Sequence, residues 1–570
     1  MVTCNNTRPT SGPGNSTPIR LIKTPRSERH LTFGVDKLHA MPAKRRRSST
    51  SEHPPIQILK RTRTRHPDDY IDGLSDELLI HILQLLPLET LVQCQRLSRR
   101  FYTLAGDSQI WKNLYYTRFV LPRALRIPGI RNAPRDDALN FSSRRSLWLG
   151  EDALVNPVDG KKTNWKGQYK LRHNWSIGAC EIQEIHVAGR PAVPSMQVKL
   201  AEKVVVTADE EEGLRAWDLK DKELIAKYAL QECLVPTCLA VDERHSGSGL
   251  GIALGYMDGG WGVWRLDTKQ KKFVLAYEHP KSSNGRLGAV AYAYPYILTI
   301  TDSQRLSLYT FSNEQDPALS YTDPLPTPRL LASLRSHTSW PPLSLSLRPS
   351  SSYLIASITY TLPVYPHGYS VGIQELHLSP LTGTITSSRL ASALPQGFTS
   401  LSSPTSRSPS GPISSSIEYP SAPPTSLSYA HPYILTTHSD NTLSLHMCTS
   451  TASSLSLSPA TRLWGHTASV VAAQITPRGK AVSVASGAHA ANSGIRPDDA
   501  NEQPKSARRE SCGGELRIWD LEGSQTRRRR ERSVQVGSPG SGKRWVGFDE
   551  EVVVVLEEEG GLVLTVHDFT

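Results

Sequence analysis

From about residue 180 to its end the chain repeats one local pattern: an apolar β-prone run, a short polar turn, then an alternating run closed by an aromatic residue or His. The units are VVVTADEEEGLRAWDL, GIALGYMDGGWGVWRLD, ILTITDSQRLSLYTF, the weaker SYLIASITYTLPVYPHGYSVGIQELHL, ILTTHSDNTLSLHMC, GGELRIWDLEG and VVVVLEEEGGLVLTVHDF. Their closing residues fall near 217, 264, 309, 376, 446, 519 and 567, so the spacings are 47, 45, 67, 70, 73 and 48. A lone hairpin is marginal in water, and its open edges invite aggregation. Seven such units become stable when they stack radially and close on themselves. The spacings bracket the ~40 to 45 residues of one four-stranded repeat, with three units enlarged by insertions.

A second pattern precedes the repeats. Residues 72–114, DGLSDELLIHILQLLPLETLVQCQRLSRRFYTLAGDSQIWKNL, place apolar residues at helical spacing. Ser75 is positioned to cap a helix carrying Asp76 and Glu77 in its positive first turn, and Pro87 ends it before Leu88-Glu89-Thr90 open the next. A bundle this short has more leucine than core, because so small a domain buries too little of its surface. Part of its apolar face is therefore expected to meet a partner.

Both patterns resemble known families. The Trp-Asp pairs Trp217-Asp218 and Trp519-Asp520, Trp264 at the same place in the second unit, and Gly465-His466 ahead of the sixth look like WD repeats. That resemblance implies a β-propeller in which His466 hydrogen-bonds toward Trp519 and the tryptophans are blade core. The helical segment looks like an F-box, carried by Leu74, Glu77, Leu78, Ile82-Leu83, Leu86-Pro87, Leu91, Cys94, Leu97, Arg99-Arg100, Phe101 and Ile110-Trp111. Ser75, Leu97 and Phe101 stand where that family usually has proline, valine and tryptophan. Together the resemblances imply a substrate receptor that docks the Skp-type adaptor of a cullin-RING ubiquitin ligase. Leu74, Glu77, Leu78, Ile82, Leu83, Pro87, Leu91 and Trp111 are then the candidate adaptor-binding set. The expected fold is a small all-α F-box followed by an all-β, seven-bladed propeller. The expected division is a disordered basic tail 1–68, F-box 69–116, helical linker 117–179 and propeller 180–570, with unfolded insertions at about 395–428 and 487–514. The run Arg527 to Arg530 is expected between the sixth and seventh blades.

Charge and chemistry narrow the reading. Of the net charge of +12, residues 1–70 hold +9, from 14 Lys/Arg against 5 Asp/Glu, so the folded part is nearly neutral and unlike a nucleic-acid-binding body. The tail's clusters Lys44-Arg45-Arg46-Arg47 and Lys60 to Arg65 fit a nuclear import signal; they lack the interleaved aromatics of a nucleic-acid patch. Seven scattered cysteines form no zinc-type pairs and suit a reducing compartment, and no apolar run is long enough to span a membrane. The expectation is an intracellular protein of nucleus or cytoplasm. Neither a phosphate-binding loop nor a metal or nucleophile motif occurs, so neither enzyme activity nor a cofactor is expected. For the protein substrate, the acidic turns holding Asp209, Glu210, Glu211, Glu557 and Glu558 lie on blades that become neighbours on closure, and suggest a basic partner segment. The alternative to a ligase subunit is an F-box/propeller scaffold acting elsewhere, in trafficking or chromatin assembly.

Overall fold

The computed structural model describes residues 70–71, 73–121 and 164–570, apart from 191–194, 232, 243–248, 312–324, 336–339, 350–352, 365–367, 380–381, 383, 394–421, 452–453, 487–513, 522–532, 541 and 559. The tail expected over 1–68, most of the linker 122–163, and the greater part of both expected insertions lie outside the described residues. The chain divides into Met1–Gly73 and Leu74–Thr570, and all the described helices and strands belong to the second of these units.

Four short helices come first: α1 (Asp76–Gln84), α2 (Leu88–Cys94), α3 (Arg99–Ala105) and α4 (Ser108–Tyr115), the last running into a π-turn at Tyr116–Val120. Each boundary has a local cause. Ser75, Ser98 and Asp107 accept backbone N–H groups at the starts of α1, α3 and α4, and Pro87 occupies the cap of α2, where its fixed φ suits a helix entry. Leu79, Leu83, Leu91, Leu104, Ala105, Ile110, Trp111 and Tyr115 bury themselves together, joined by Tyr169 from a fifth helix, α5 (Trp165–Ile177). Gly178 ends α5 at φ 74°, a left-handed cap that glycine adopts without strain.

Seven antiparallel sheets follow, six of them four-stranded and one five-stranded. Blade 1 comprises Gln197–Ala201, Val204–Asp209, Gly213–Asp218 and Leu224–Tyr228; blade 2, Pro236–Asp242, Leu250–Tyr256, Trp261–Asp267 and Lys272–His279. Blade 3 comprises Leu287–Ala293, Tyr296–Thr301, Arg305–Thr310 and Arg329–Arg335; blade 4, Trp340–Pro349, Leu354–Pro363, Tyr369–Leu378 and Ile385–Ser392. In blade 5, Ser426–Ala430, Tyr433–Thr437 and Thr442–Ser450 are followed by two short strands, Leu455–Leu457 and Thr461–Trp464, both paired to the third. Blade 6 is Val470–Ile475, Lys480–Ala485, Gly514–Asp520 and Ser533–Gly540. Blade 7 is Lys543–Phe548, Val552–Glu558 and Leu562–Asp568, completed by the first strand of the region, Glu181–Ala188.

That last pairing closes the ring. Glu181 lies opposite Asp568 and Ala188 opposite Leu562, so the two ends of the region share one sheet and the blade has no open third-strand edge. The first strands of successive blades contact one another all the way round, blade 7 returning to blade 1. Interleaved apolar clusters between adjacent blades form the core, for example Val206, Leu214 and Ala216 of blade 1 against Ile252, Leu254 and Trp264 of blade 2. All seven closing residues marked in the sequence lie on third strands, so the repeated unit is the second and third strands with their turn.

Two expectations need correction. Residues 426–428, expected within an unfolded insertion, begin the innermost strand of blade 5: Leu427 is buried, and the Ser428 hydroxyl accepts the backbone N–H of Ile475 in blade 6. A Ser-rich run reads as unfolded by composition, yet a strand beside the central axis has little room for larger side chains. The basic run 527–530 connects the third and fourth strands of blade 6 instead of joining blades 6 and 7, and it lies outside the described residues. Among the described residues no helix is long and apolar enough to cross a membrane.

Candidate functional sites

Helix α1 carries two apolar stripes on adjoining faces, about 100° apart. Leu79 and Leu83 point into the bundle, whereas Leu78 (54% exposed), Ile82 (47%) and Leu85 (79%) recur at i, i+4, i+7 on the outer face. Leu97, 70% exposed, adds to the uncovered apolar surface after α2. Of the candidate adaptor-binding residues, Glu77, Leu78, Ile82 and Pro87 are exposed and Leu74 is half-buried; Leu83, Leu91 and Trp111 are core and support the face from beneath. The Trp111 indole N–H donates to the Ala105 carbonyl at 2.9 Å. Arg100 of α3 ties the start of α1 in place, donating to Asp76 at 2.8 Å and to the Leu74 carbonyl at 2.5 Å. Leu85 and Leu97 fall outside the candidate set, although the spacing 78, 82, 85 carries the signal for Leu85.

Helix α5 joins the bundle to the propeller. Tyr169 packs on Trp111 and Phe119, while two turns later Trp175 stacks on Phe569 with ring centroids 4.4 Å apart. Trp175 donates to the Glu550 carbonyl and Asn174 to that of Phe569. Lys480 lies over the Trp175 ring, and burial lowers its ammonium pKa to about 8, with Arg172 contributing and Glu550 opposing. These contacts use the turn between the first and second strands of blade 7, Phe569 just past its third strand, and the neighbouring part of blade 6. In a meandering sheet the turn between second and third strands lies at the other end, so that end of the ring is left clear of the described helices.

The acidic turns sit at that clear end, but most of their charge is spent within the blades. Asp209 is only 4% exposed; it accepts from Arg215 at 2.5 Å and caps the backbone N–H of Glu212. It therefore shapes its turn and is not a surface ligand. Glu558 pairs with Arg544 at 2.7 Å, and Glu557 lies 3.8 Å from the buried Lys543. Glu210 and Glu211 are exposed. An acidic patch across blades 7 and 1 thus keeps two of its five expected members open.

The Trp and His residues of the repeats lie inside the blades. In blade 6 the Ser483 hydroxyl lies between His466 Nε2 at 2.6 Å and the donating Trp519 indole at 2.7 Å, so the histidine reaches the tryptophan through a serine. Burial first, then Arg517, holds the His466 imidazole down at about 4. In blade 1 Trp217 donates to the Thr207 hydroxyl at 3.2 Å, while the Asp218 carboxylate accepts the Lys220 backbone N–H at the strand end. Trp264 is fully enclosed against Gly262, where a Cβ would meet its ring at 2.4 Å. Asp520 is exposed at the end of its strand.

One buried charge cluster has no signature in the sequence. Glu375 in blade 4, with no exposure, is held by Arg348 at 2.9 Å and Arg389 at 3.2 Å, and accepts from the Ser450 hydroxyl of blade 5 at 2.7 Å. Glu375, His431 and Cys448 bring potential ligand atoms within 4.8 Å of one another. A divalent cation fits this set poorly: both carboxylate oxygens are already bound to guanidinium groups, and burial pushes the Cys448 thiol up to about 12. The cluster reads as a clamp between blades.

A helical F-box joined to a seven-bladed propeller defines the class: an F-box/propeller protein. Residues 74–117 match the F-box-like family. Residues 180–490 match the family described as F-box protein pof12 beta-propeller, and the chain belongs to that family. Among solved structures, the chain is similar to the computationally designed Ika8 protein, at 13% identity over 65% of this chain and 82% of that one, with a TM-score of 0.34. It is also similar to the beta-propeller domain of Cps50 (Swd1) from Myceliophteria thermophila, at 11% identity over 68% and 100% of the two chains, with a TM-score of 0.38. F-box domains generally bind Skp1-type adaptors, and the F-box-plus-propeller architecture is typical of non-catalytic receptors and adaptors.

Proposed function

We propose that the chain is the substrate-recognition subunit of a Skp–cullin–RING ubiquitin ligase, with the F-box docking the adaptor and the propeller holding the protein to be ubiquitinated. The observation that carries this is the second apolar stripe, Leu78, Ile82 and Leu85, uncovered on a bundle too small to bury it. Covering such side chains contributes ~1.5 to 3 kcal/mol each. The ligase reading needs no chemistry from this chain, because holding a substrate lysine near charged ubiquitin raises its effective concentration.

Affinity purification of the full-length protein tests the proposal. Wild type is expected to bring down the Skp adaptor together with a cullin, and Leu78→Ala/Ile82→Ala to lose both by at least about tenfold, since two truncated anchors exceed the ~1.4 kcal/mol that a factor of ten represents. Unchanged capture by the variant overturns the assignment of this face. Adaptor without cullin overturns the ligase role and supports a scaffold outside it.

A further inference from the structure

Blade 3 offers a sheet face whose chemistry is graded along its length. Its third and fourth strands pair with Arg305 opposite Arg335, Ser307 opposite Ser333 and, past a bulge, Tyr309 opposite Leu330. Residues directly opposite in an antiparallel pair share a face, so it runs from two cations, past the buried Ser307 and the exposed Ser333 hydroxyl, to an aromatic and an aliphatic group. Four residues of strand, from 305 to 309, span about 13 Å. This is the side turned toward blade 2, because the Tyr309 ring meets His279 and Trp261 there, each at 5.3 Å. Leu306 and Leu308 point the other way, into the core shared with blade 4.

Two like charges directly opposite on a sheet repel, and among the described residues nothing offsets them. Arg305 and Arg335 are both exposed, and neither side chain meets a carboxylate of the described residues. Asp302, in the turn leading to Arg305, is held by Arg286 at 3.1 Å. The Ser303 hydroxyl already donates to the Asn284 carbonyl. Burial lowers the His279 pKa, so at neutral pH the positive charge belongs to the arginines. At the other end Leu330 is half-exposed beside the half-buried Tyr309.

We propose that this face docks an extended acidic segment of a partner protein, with neighbouring carboxylates on Arg305 and Arg335 and an apolar side chain about four residues away against Tyr309 and Leu330. Charge complementarity selects the occupant. Two separate guanidinium groups match two carboxylates, one bidentate pair each; guanidinium also pairs with phosphate, so a single phosphate is the competing occupant that the test below separates. The assignment rests on reading the propeller as the partner-binding half, and replaces the acidic turns of blades 1 and 7 as the principal contact.

Fluorescence anisotropy with the full-length protein tests it, using a labelled peptide that carries Glu-Glu and a Leu four residues on. A Gln-Gln version should bind at least about tenfold more weakly, and so should the Glu-Glu peptide to Arg305→Ser/Arg335→Ser, as expected for losing two exposed charge-assisted pairs. Arg305→Glu/Arg335→Glu should switch preference to a Lys-Lys peptide, a gain that misfolding does not produce. Replacing the peptide's Leu by Ser, or Leu330→Ser in the protein, should also weaken binding. Equal affinity for Glu-Glu and Gln-Gln, tighter binding of a peptide with a single phosphoserine in place of Glu-Glu, or an unchanged preference in the charge-reversed variant overturns the proposal. Adaptor capture, measured on the same preparations, separates this outcome from failure of the receptor role: each can be lost while the other survives.

Discussion

At the scale of single residues, the buried histidines make the propeller sensitive to acid. Burial holds His466, His438 and His567 each down at about 4, from an ordinary 6.5. Their folded-state pKa values lie below the unfolded one, so the unfolded chain binds protons first as pH falls. The stabilisation is full above about 6.5 and is lost progressively down to about 4, at most ~3 kcal/mol per group. Chemical denaturation at pH 7 and pH 5 should therefore show a clear fall in midpoint. His466→Gln should flatten part of that fall while lowering stability at pH 7. A midpoint independent of pH over this range would show that these imidazoles do not titrate with unfolding. Ser483→Ala addresses the same site at constant pH: it strips the partner from both His466 Nε2 and the Trp519 indole N–H, at ~1 to 3 kcal/mol for each buried group left unsatisfied. Its unfolding midpoint should fall accordingly, and one equal to that of wild type would show that water replaces the hydroxyl.

At the scale of elements, the second and third strands of every blade are legible in the sequence because each pair encloses a polar turn between apolar runs. Trp217, Trp264 and Trp519 mark such pairs, and even the degenerate fourth unit yields Leu354–Pro363 and Tyr369–Leu378. First and fourth strands are less legible. An inner strand such as Ser426–Ala430 is Ser-rich, and fourth strands such as Arg329–Arg335 and Ile385–Ser392 are half-exposed, so neither presents a hydrophobic signature. The adaptor face is legible as a set of residues but not as a side: periodicity assigns Leu78 and Leu79 to different stripes, and only packing decides which stripe is inside. Helix α5 is legible as the end of the expected helical linker, but not as a joint. Its role follows from Trp175, wedged between Phe548 and Phe569 and fixed by the Glu550 carbonyl. Trp175→Ala removes a large buried ring and should cost ~3 to 5 kcal/mol. Because the loss falls at the joint, protease cleavage near α5 should accelerate before the propeller unfolds; simultaneous loss of both would mean the joint is no weaker than the blades.

At the scale of the whole molecule, the closing pair of strands makes the ring one cooperative unit. Glu181–Ala188 supplies the outer strand of blade 7, and immediately before it α5 carries the F-box. One segment of about twenty-five residues, Trp165–Ala188, therefore both anchors the helices and seals the propeller. Stability of the ring and attachment of the F-box are thus coupled by chain connectivity, whereas the blade 3 face lies away from the joint in blades 6 and 7. A chain lacking residues 181–188 would expose the edge of Leu562–Asp568, an unpaired row of N–H and C=O groups flanked by Leu564 and Val566. Exposed apolar edges pair with other chains. The deletion should broaden the unfolding transition and drive concentration-dependent association, read by calorimetry and light scattering. Supplying the missing strand as a separate peptide should reverse both, because the register from Glu181 opposite Asp568 to Ala188 opposite Leu562 is specified by the alternation of Ile185 and Val187 with outward-facing Glu184 and His186. A truncated chain that stays monomeric and melts sharply would show that six complete blades and three strands of the seventh already suffice to close the ring.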